Sequence, residues 1–524
     1  MCRTRLHRYN ATTAIPPDER PSEKTTARAD MLFNSFEFIF FFLPVTLAVF
    51  FLLKHHHLPQ MAIAWLVGVS LFFYAWWNPV YLGLLIASVL FNYSFGAAIA
   101  RAHGAQRRVL LVIGITANLA VLGYYKYANF FLDNLNTLVG SDWHAGTILL
   151  PLGVSFITFQ KIAYLVDAWQ GKTREYNFLH FCLFVTFFPQ LIAGPIVHHR
   201  DVMPQFADRA RLRFDHENIA LGLSIFIIGL FKKVVIADNL ALFANPVFSA
   251  AAGTTLSFQE AWLGALAYTF QLYFDFSGYS DMAIGLARLF GVKLPLNFHS
   301  PYKATSIIDF WRRWHMTLSR FLRDYLYIPL GGSRRGPARR YLNLVLTMLL
   351  GGLWHGAAWT FVIWGGLHGV YLLINHAWRG FVEQLGLSGR KPNRPAMLAG
   401  GALTFTAVVV SWVFFRADNT PAAQSMLSSM MGLHGINSAQ HAFANGLMVG
   451  SRALSWVVAA ALIVWLLPNT QQLFARFAPA LDSVQGAARL HWRPSLPWLM
   501  FIVMLALVAI YRLNHISQFL YFQF

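Results

Sequence analysis

The sequence predicts an all-α, polytopic integral membrane protein with about eleven transmembrane helices, and three observations predict it. Hydrophobic residues make up 56% of the 524 residues and charged residues only 12%, whereas soluble proteins carry about 25% charged residues. Apolar stretches of the ~20 residues that a membrane-crossing helix needs recur along the chain. Lys and Arg collect in some loops and are missing from others, as in membrane proteins. The net charge of +19 therefore requires no nucleic-acid partner.

Residues 1–30 lie outside this pattern. They are polar, rich in Arg, Thr and Pro, and lack the apolar core of a signal peptide. The first apolar run follows Met31 directly, so we interpret Met31 as the start of the protein and residues 1–30 as a mis-assigned start or a disordered tail. A genuine regulatory tail is the alternative. Residues 31–524 are predicted to form a single membrane domain.

Eleven or twelve apolar stretches are candidate spans. Several are short or contain Gly and Pro, which is tolerated where neighbouring helices shield the backbone. The candidates lie at 32–53, 61–77, 80–100, 109–131, 148–169, 219–241, 258–290, 341–355, 359–378, 397–416, 453–467 and 497–513.

Loop charge sets the predicted orientation. The loops 132–146, 243–257 and 417–448 contain no Lys or Arg. Reading the basic loops as cytoplasmic places the start of the first span outside, which agrees with a start at Met31. The basic clusters are Arg101, Arg107 and Arg108; Lys172 and Arg174; Arg209, Arg211 and Arg213; and Arg334, Arg335, Arg339 and Arg340.

The apolar stretch 178–200 breaks the simple alternation of spans and loops. Basic residues flank it on both sides, and Pro189, Gly194 and Pro195 interrupt any helix there. A re-entrant hairpin surrounded by protein explains both features. The alternative is a kinked ordinary span with one inverted loop.

Residues 297–336 form the first region in which the sequence predicts a functional site. Read as one helix, this region places its aromatic and aliphatic residues on one face and its arginines on the other, with His315 at the boundary. Such a helix is expected at the cytoplasmic interface. Its arginines would bind either lipid headgroups or a phosphorylated donor such as a coenzyme A derivative. The apolar face carries Trp311, Trp314, Leu318, Phe321, Leu322 and Tyr325, and the opposite face carries Arg312, Arg313, Arg320 and Arg323.

His355 is the second candidate, in the nearly uncharged run 349–374. A histidine in hydrocarbon surroundings is costly unless it faces a cavity or a partner, and the glycines beside it leave room for a substrate. Desolvation would keep the imidazole neutral and able to accept a proton from a hydroxyl. The alternative is a packing histidine. His368 would lie ~140° around the same helix, so both are not expected at one site.

Other polar residues give weaker signals. Intramembrane carboxylates often mark function, but those of a polar patch within 258–290 are interpreted as hydrogen-bonded contacts between helices. No metal site is predicted, because His55–His57 have no second group of ligands and two cysteines cannot supply a thiolate site. The patch consists of Asp275, Ser277, Ser280 and Asp281.

Several long motifs resemble the membrane-bound O-acyltransferase (MBOAT) family, and the branch of alginate O-acetyltransferases in particular. The likeness runs from Met31 to the C-terminal FLYFQF. It rests on MLFNSFEFIFFFLP, PLGVSFITFQKIAYLVD, FFPQLIAGPIVHH, YFDFSGYSDMAIG, PYKATSIIDFWRRWHMTLSRFLRDYLYIPLGGSRRG and GGLWHGAAWTFVIWGGLHG.

The resemblance implies a helical fold around a central tunnel in a bacterial inner membrane. It implies that His355 is catalytic and that His315 is the second signature histidine. It also implies acetyl transfer from acetyl-CoA, with no permanently bound cofactor, to a periplasmic partner that acetylates an exopolysaccharide such as alginate. D-alanyl transfer within the same family, a polysaccharide or lipid transporter, and a non-enzymatic scaffold are the alternatives.

Overall fold

The computed structural model describes residues 31–173, 177–208, 214–386, 393–436, 447–483, 490–513 and 519–520. The predictions for residues 1–30 and for Arg174, Arg209, Arg211 and Arg213 fall outside these ranges. Every regular element within the ranges is a helix, which confirms the predicted fold class.

The described helices differ widely in length. In chain order they are α1 (Glu37–His55), α2 (Pro59–Trp77), α3 (Val80–Arg101), α4 (Gly104–Val139), α5 (Val154–Trp169), α6 (Phe178–Thr186), α7 (Phe188–Leu191), α8 (His199–Ala207), α9 (His216–Ala250), α10 (Phe258–Leu289), α11 (Ile307–Trp311), α12 (Met316–Leu322), α13 (Pro337–His355), α14 (Trp359–Gln384), α15 (Arg394–Arg416), α16 (Thr420–Met430), α17 (Leu447–Leu466), α18 (Thr470–Leu473) and α19 (Leu496–Arg512).

Six of the described helices are long and apolar enough to cross a membrane, namely α1 to α4, α9 and α15. The predicted spans 109–131 and 219–241 are parts of the longer helices α4 and α9, whereas 148–169 contains only the 16 helical residues of α5. The predicted number of about eleven spans stays a prediction. Helix α10 has 32 residues, about 48 Å of helix, but carries Asp275 and Asp281 in its interior.

Helix α10 is buried almost throughout, and α9 packs directly against its backbone. A Cβ atom at Gly222 would lie 2.8 Å from the carbonyl oxygen of Gly285, and one at Gly229 would lie 2.6 Å from that of Gly278. Two pairs of glycines seven residues apart therefore let the helices touch, as small residues do in membrane bundles.

The polar patch of α10 joins helices, as the sequence analysis interpreted it. The Asp281 carboxylate accepts a hydrogen bond of 2.6 Å from Lys232, and the Asp275 carboxylate lies 2.7 Å from the Lys233 ammonium. Both lysines belong to a π-helical turn in α9, Lys232–Ala237. The Thr470 hydroxyl also donates to Asp281, over 2.6 Å, so the buried charges are paired and hydrogen-bonded.

The segment predicted to be re-entrant contains two short helices, α6 and α7. Helix α6 has nine residues, about 14 Å of helix, which is too short to cross a membrane. The helix is interrupted at Phe187, one residue before α7 begins. Residues 181–199 are all buried by protein. This enclosure is what a re-entrant hairpin requires and an ordinary kinked span does not.

Helices α13 and α14 form a tight hairpin, which determines where His355 lies. A Cβ atom at Gly352 would overlap the carbonyl oxygen of Phe361, and one at Gly365 would overlap that of Met348. The two backbones are therefore in contact just before His355.

Substituting Gly365 with alanine is expected to force α13 and α14 apart, because the new methyl group has no space. Overpacking of this kind costs about 1–3 kcal/mol of unfolding free energy. The midpoint of thermal unfolding in detergent should therefore fall. The matched control is Gly380→Ala in the same helix, where a Cβ atom would meet open space; alanine there should raise the midpoint or leave it unchanged. Equal midpoints for the two variants would contradict the close contact.

Candidate active site

His355 is the last residue of α13, and its imidazole is enclosed by aromatic rings. Its ring centroid lies 4.9 Å from that of Trp354, 5.2 Å from Trp364 and 5.1 Å from Phe415. The residue is 6% exposed. The backbone leaves the helix immediately afterwards, since Gly356 has φ −159° and ψ 149°. His355 thus stands at the end of a helix, where the chain turns towards α14.

A cavity of about 300 Å³ begins at the residue after His355. Its walls come from π-helical residues of α4, from the segment that follows the loop 132–146, and from the connection between α13 and α14. Loop charge predicts that this side of the molecule is extracytoplasmic. The lining residues are Tyr124, Tyr125, Lys126, Ala128, Asn129, Ile148, Leu150, Gly356, Ala357, Ala358 and Phe361.

The C-terminal carbonyl groups of α13 accept hydrogen bonds from α4. The Lys126 ammonium donates to the carbonyl of Trp354 over 2.6 Å and to that of His355 over 2.9 Å. The Tyr127 hydroxyl donates to the carbonyl of Leu353 over 2.9 Å. Helix ends leave their last carbonyl groups without intrahelical partners, so these two side chains supply the missing donors next to His355.

The prediction that His315 lies at the boundary between two faces of one amphipathic helix is wrong. His315 occupies a break between α11 and α12. Its φ of 42° and ψ of 53° are left-handed, a conformation that costs a non-glycine residue about 1–2 kcal/mol. The backbone N–H of Met316 donates to the carbonyl of Asn297, and that of His299 donates to Arg313. The irregular segment at 297–299 thus takes bonds that a continuous helix would have made internally, and His315 is 0% exposed.

The hydrogen bonds around His315 determine which of its nitrogens carries the proton. Its Nδ1 lies 2.9 Å from Asn297 Oδ1, an atom that only accepts. The Thr317 hydroxyl donates to the same oxygen over 2.9 Å and itself accepts from the Ile196 N–H, which supports that orientation of the amide. The neutral His315 ring therefore carries its proton on Nδ1 and has its acceptor lone pair on Nε2.

Both predicted histidines meet at Trp354. The His315 ring centroid lies 6.3 Å from that of Trp354, and the His355 centroid lies 4.9 Å from it. The structure thus brings together two residues that are 40 positions apart in the sequence. Phe276 of α10 covers His315 at 4.8 Å and completes the apolar enclosure on that side.

That His355 and His368 do not share one site stays a prediction, but the helix geometry on which it was based is wrong. It assumed one helix across 349–374, whereas α13 ends at His355 and α14 begins at Trp359. Both rings contact the indole of Trp364, with centroid distances of 5.2 Å and 4.9 Å. Trp311 donates from Nε1 to His368 Nδ1, and Ser411 Oγ lies 2.9 Å from His368 Nε2. Both nitrogens of His368 are thus used within the protein.

The four arginines predicted to bind a donor form two groups: Arg312 and Arg313 follow α11, and Arg320 and Arg323 lie in α12 or at its end. Arg313 pairs with Asp309 of α11 at 2.9 Å, and Arg320 faces Asp201 of α8 at 3.4 Å. Arg323 pairs with its neighbour Asp324 at 2.7 Å, and Arg312 is exposed. An anionic donor would compete with carboxylates at three of these positions, and its binding there stays a prediction.

Sequence reasoning missed Lys126 and Asn297. Lys126 lies within the predicted span 109–131, and a lysine inside an apolar span marks a functional position by default, so that signal was present. Asn297 gave none, because its contact with His315 depends on the backbone break. A buried chain of Asp167, Tyr325 and His198 was also missed: the Tyr325 hydroxyl donates to Asp167 over 2.9 Å and lies 3.0 Å from His198 Nδ1.

Known proteins are similar to this chain along most of its length. The model of the membrane-bound O-acyltransferase family matches residues 170–414. A peptidoglycan O-acetyltransferase from Helicobacter pylori is 48% identical over 434 residues, which cover 78% of this chain and 81% of that protein.

Two further relatives differ in how closely and over how much of their length they match this chain. A protein described as probable alginate O-acetylase AlgI, from Azotobacter vinelandii, is 40% identical over 94% of this chain and 100% of its own length. A teichoic acid D-alanyltransferase from Streptococcus thermophilus is 27% identical over 51% of this chain and 69% of its own. The region matched by the family model, residues 170–414, contains α13 and α14, where His355 lies. The chain belongs to the membrane-bound O-acyltransferase family and is an O-acyltransferase embedded in a membrane by several helices.

Proposed function

We propose that this O-acyltransferase moves an acetyl group from acetyl-CoA on the cytoplasmic side of a bacterial inner membrane to an acceptor on the other side, for O-acetylation of an exopolysaccharide such as alginate. The single observation that carries the proposal is the position of His355. Its ring is enclosed by protein, yet the next residue forms the wall of a cavity large enough for an acceptor group.

In the proposed reaction, His355 acts as the general base. Its apolar surroundings favour the neutral imidazole, which accepts the proton of an acceptor hydroxyl as that oxygen attacks the thioester carbonyl. The new carbon–oxygen bond forms and the carbon–sulfur bond breaks. The acetyl group is then bonded to the acceptor, and the thiolate of coenzyme A leaves. The imidazolium then returns its proton to the thiolate, so that coenzyme A leaves as a thiol. An acyl-imidazole on His355 is the variant mechanism.

His315 is proposed to position a reactant and not to polarise the thioester carbonyl. Polarising a carbonyl requires a donor, and the neutral ring holds its proton in the bond to Asn297. His315 contacts Trp354, which in turn contacts His355, and would orient the reacting groups through these contacts.

The two reactants are proposed to approach from opposite sides. The acceptor would enter the cavity beside Gly356, on the side where the neighbouring loop carries no Lys or Arg. The donor would approach from the basic side, where Arg320 and Arg323 can bind its phosphates in exchange for their carboxylate partners. A periplasmic acetyltransferase would receive the acetyl group and deliver it to the polymer.

Acetyl is favoured over D-alanyl as the transferred group. The relatives named as O-acetyltransferases match this chain at 40–48% identity over most of its length. The D-alanyltransferase matches it at 27% over about half. A chemical analysis of the group carried by the acceptor would distinguish the two.

Substituting His355 with alanine is expected to lower the rate of acetyl transfer about 10²–10⁴-fold, the usual contribution of a general base. The rate would be measured with labelled acetyl-CoA and purified protein confirmed to be folded by size-exclusion chromatography. The matched control is His368→Ala, which removes a second imidazole from the same aromatic cluster but not the proposed base. A folded His355→Ala protein with a near-normal rate would refute the catalytic role.

Substituting Asn297 with alanine is expected to slow acetyl transfer roughly 10–100-fold, because the His315 ring loses the acceptor that fixes its orientation and small displacements of a positioned group carry penalties of this size. The control is Asn118→Ala, which also removes a buried amide, hydrogen-bonded over 2.8 Å to Asn92 between α3 and α4. Rates would be compared at saturating donor. Similar rates for the two folded variants would show that Asn297 has only a packing role.

A further inference from the structure

Lys126 is the only lysine of α4 and lies within the apolar stretch of that helix. Its ammonium donates to the carbonyls of Trp354 and His355, over 2.6 Å and 2.9 Å, and lies 3.4 Å from the Ser155 hydroxyl. No carboxylate of the described residues forms an ion pair with it. A lysine placed in this way costs free energy, so its retention requires a reason.

The geometry points to a positioning role: we propose that Lys126 fixes the backbone of Trp354 and His355 and thereby holds the proposed catalytic imidazole in place. This inference rests on the proposed function of His355. Lys126 belongs to a π-helical turn, Gly123–Tyr127, which changes the direction of the side chains that follow. Such turns are often found at functional sites.

Three consecutive carbonyls, those of Leu353, Trp354 and His355, receive their donors from this one turn. The connection that follows, Gly356–Ala358, is extended and cannot satisfy them by continuing the helix. The frayed last turn of a helix would allow the His355 ring to move relative to the cavity. Lys126 and Tyr127 of α4 oppose this fraying, because each carbonyl that accepts a hydrogen bond from them is kept in its helical position.

The charge of Lys126 adds a second effect at the same place. A helix carries the equivalent of about half a negative charge at its C-terminus, and His355 lies directly there. The ammonium offsets this negative charge, which would otherwise favour a protonated imidazole. Lys126 therefore supports both the position of His355 and the neutral form that acts as a base.

The test compares Lys126→Met, which keeps the length of the side chain but removes charge and donors, with Lys126→Arg, which keeps both. The control is Lys161→Met, which removes a buried lysine of α5 that donates to Ser88 of α3 over 2.6 Å. We expect kcat to fall about 10–100-fold in Lys126→Met with the KM for acetyl-CoA unchanged. Arginine should restore at least part of kcat, and Lys161→Met should retain it.

A readout independent of activity separates this inference from the proposed function. In protein labelled with ¹³C-histidine, the His355 ring signal is identified by its loss in His355→Ala. We expect that signal to shift or broaden in Lys126→Met but not in Lys161→Met, whatever reaction the protein catalyses. If Lys126→Met does not fold, Tyr127→Phe serves as the milder variant, with the same shift and a several-fold loss of kcat expected. An unchanged signal, an unchanged kcat, or a rise in KM alone would overturn the positioning role.

Discussion

The contact between the backbones of α13 and α14 is the constraint on which the site depends. The glycines at 352 and 365 let the two helices touch, and the chain must then leave α13 at His355 and pass through Gly356–Ala358 before α14 can begin. A buried imidazole is thereby placed at a helix end, one residue before the wall of a cavity. The proposed transfer across a membrane requires a reactive group that neither side exposes to bulk water, and a buried imidazole meets that requirement.

Histidines in one aromatic cluster have different environments, and their hydrogen bonds distinguish their roles. His368 uses both nitrogens within the protein, with Trp311 and Ser411. The Nδ1 atom of His315 bonds to Asn297, which fixes the ring. The His315 backbone is left-handed, a conformation that a packing residue does not require. Strained conformations of this kind cluster at functional sites. The backbone carbonyl of His355 accepts from Lys126 of α4, and aromatic side chains such as Trp364 surround its ring.

The sequence predicted the helical fold, the burial of His355 and the joining role of the α10 carboxylates, because these follow from hydropathy and from the cost of burying charge. It did not predict the break at His315, where the Met316 N–H donates to Asn297 and the His299 N–H donates to Arg313 in place of helical bonds. Such pairing between distant segments leaves no local pattern in the sequence. The convergence of His355 and His368 was missed for a related reason: the Gly356–Ala358 connection looked like part of one helix. Lys126 could have been found from its apolar surroundings alone.

The central claim is that acetyl transfer occurs at His355, with the donor entering from the basic side and the acceptor from the cavity beside Gly356. The most direct measurement is an experimental structure with a non-hydrolysable ketone analogue of acetyl-CoA. We expect the ketone carbonyl to contact the His355 imidazole, the phosphates to lie at Arg320 and Arg323, and the cavity to remain open. An analogue bound through that cavity, or one whose carbonyl lies away from His355, would contradict it.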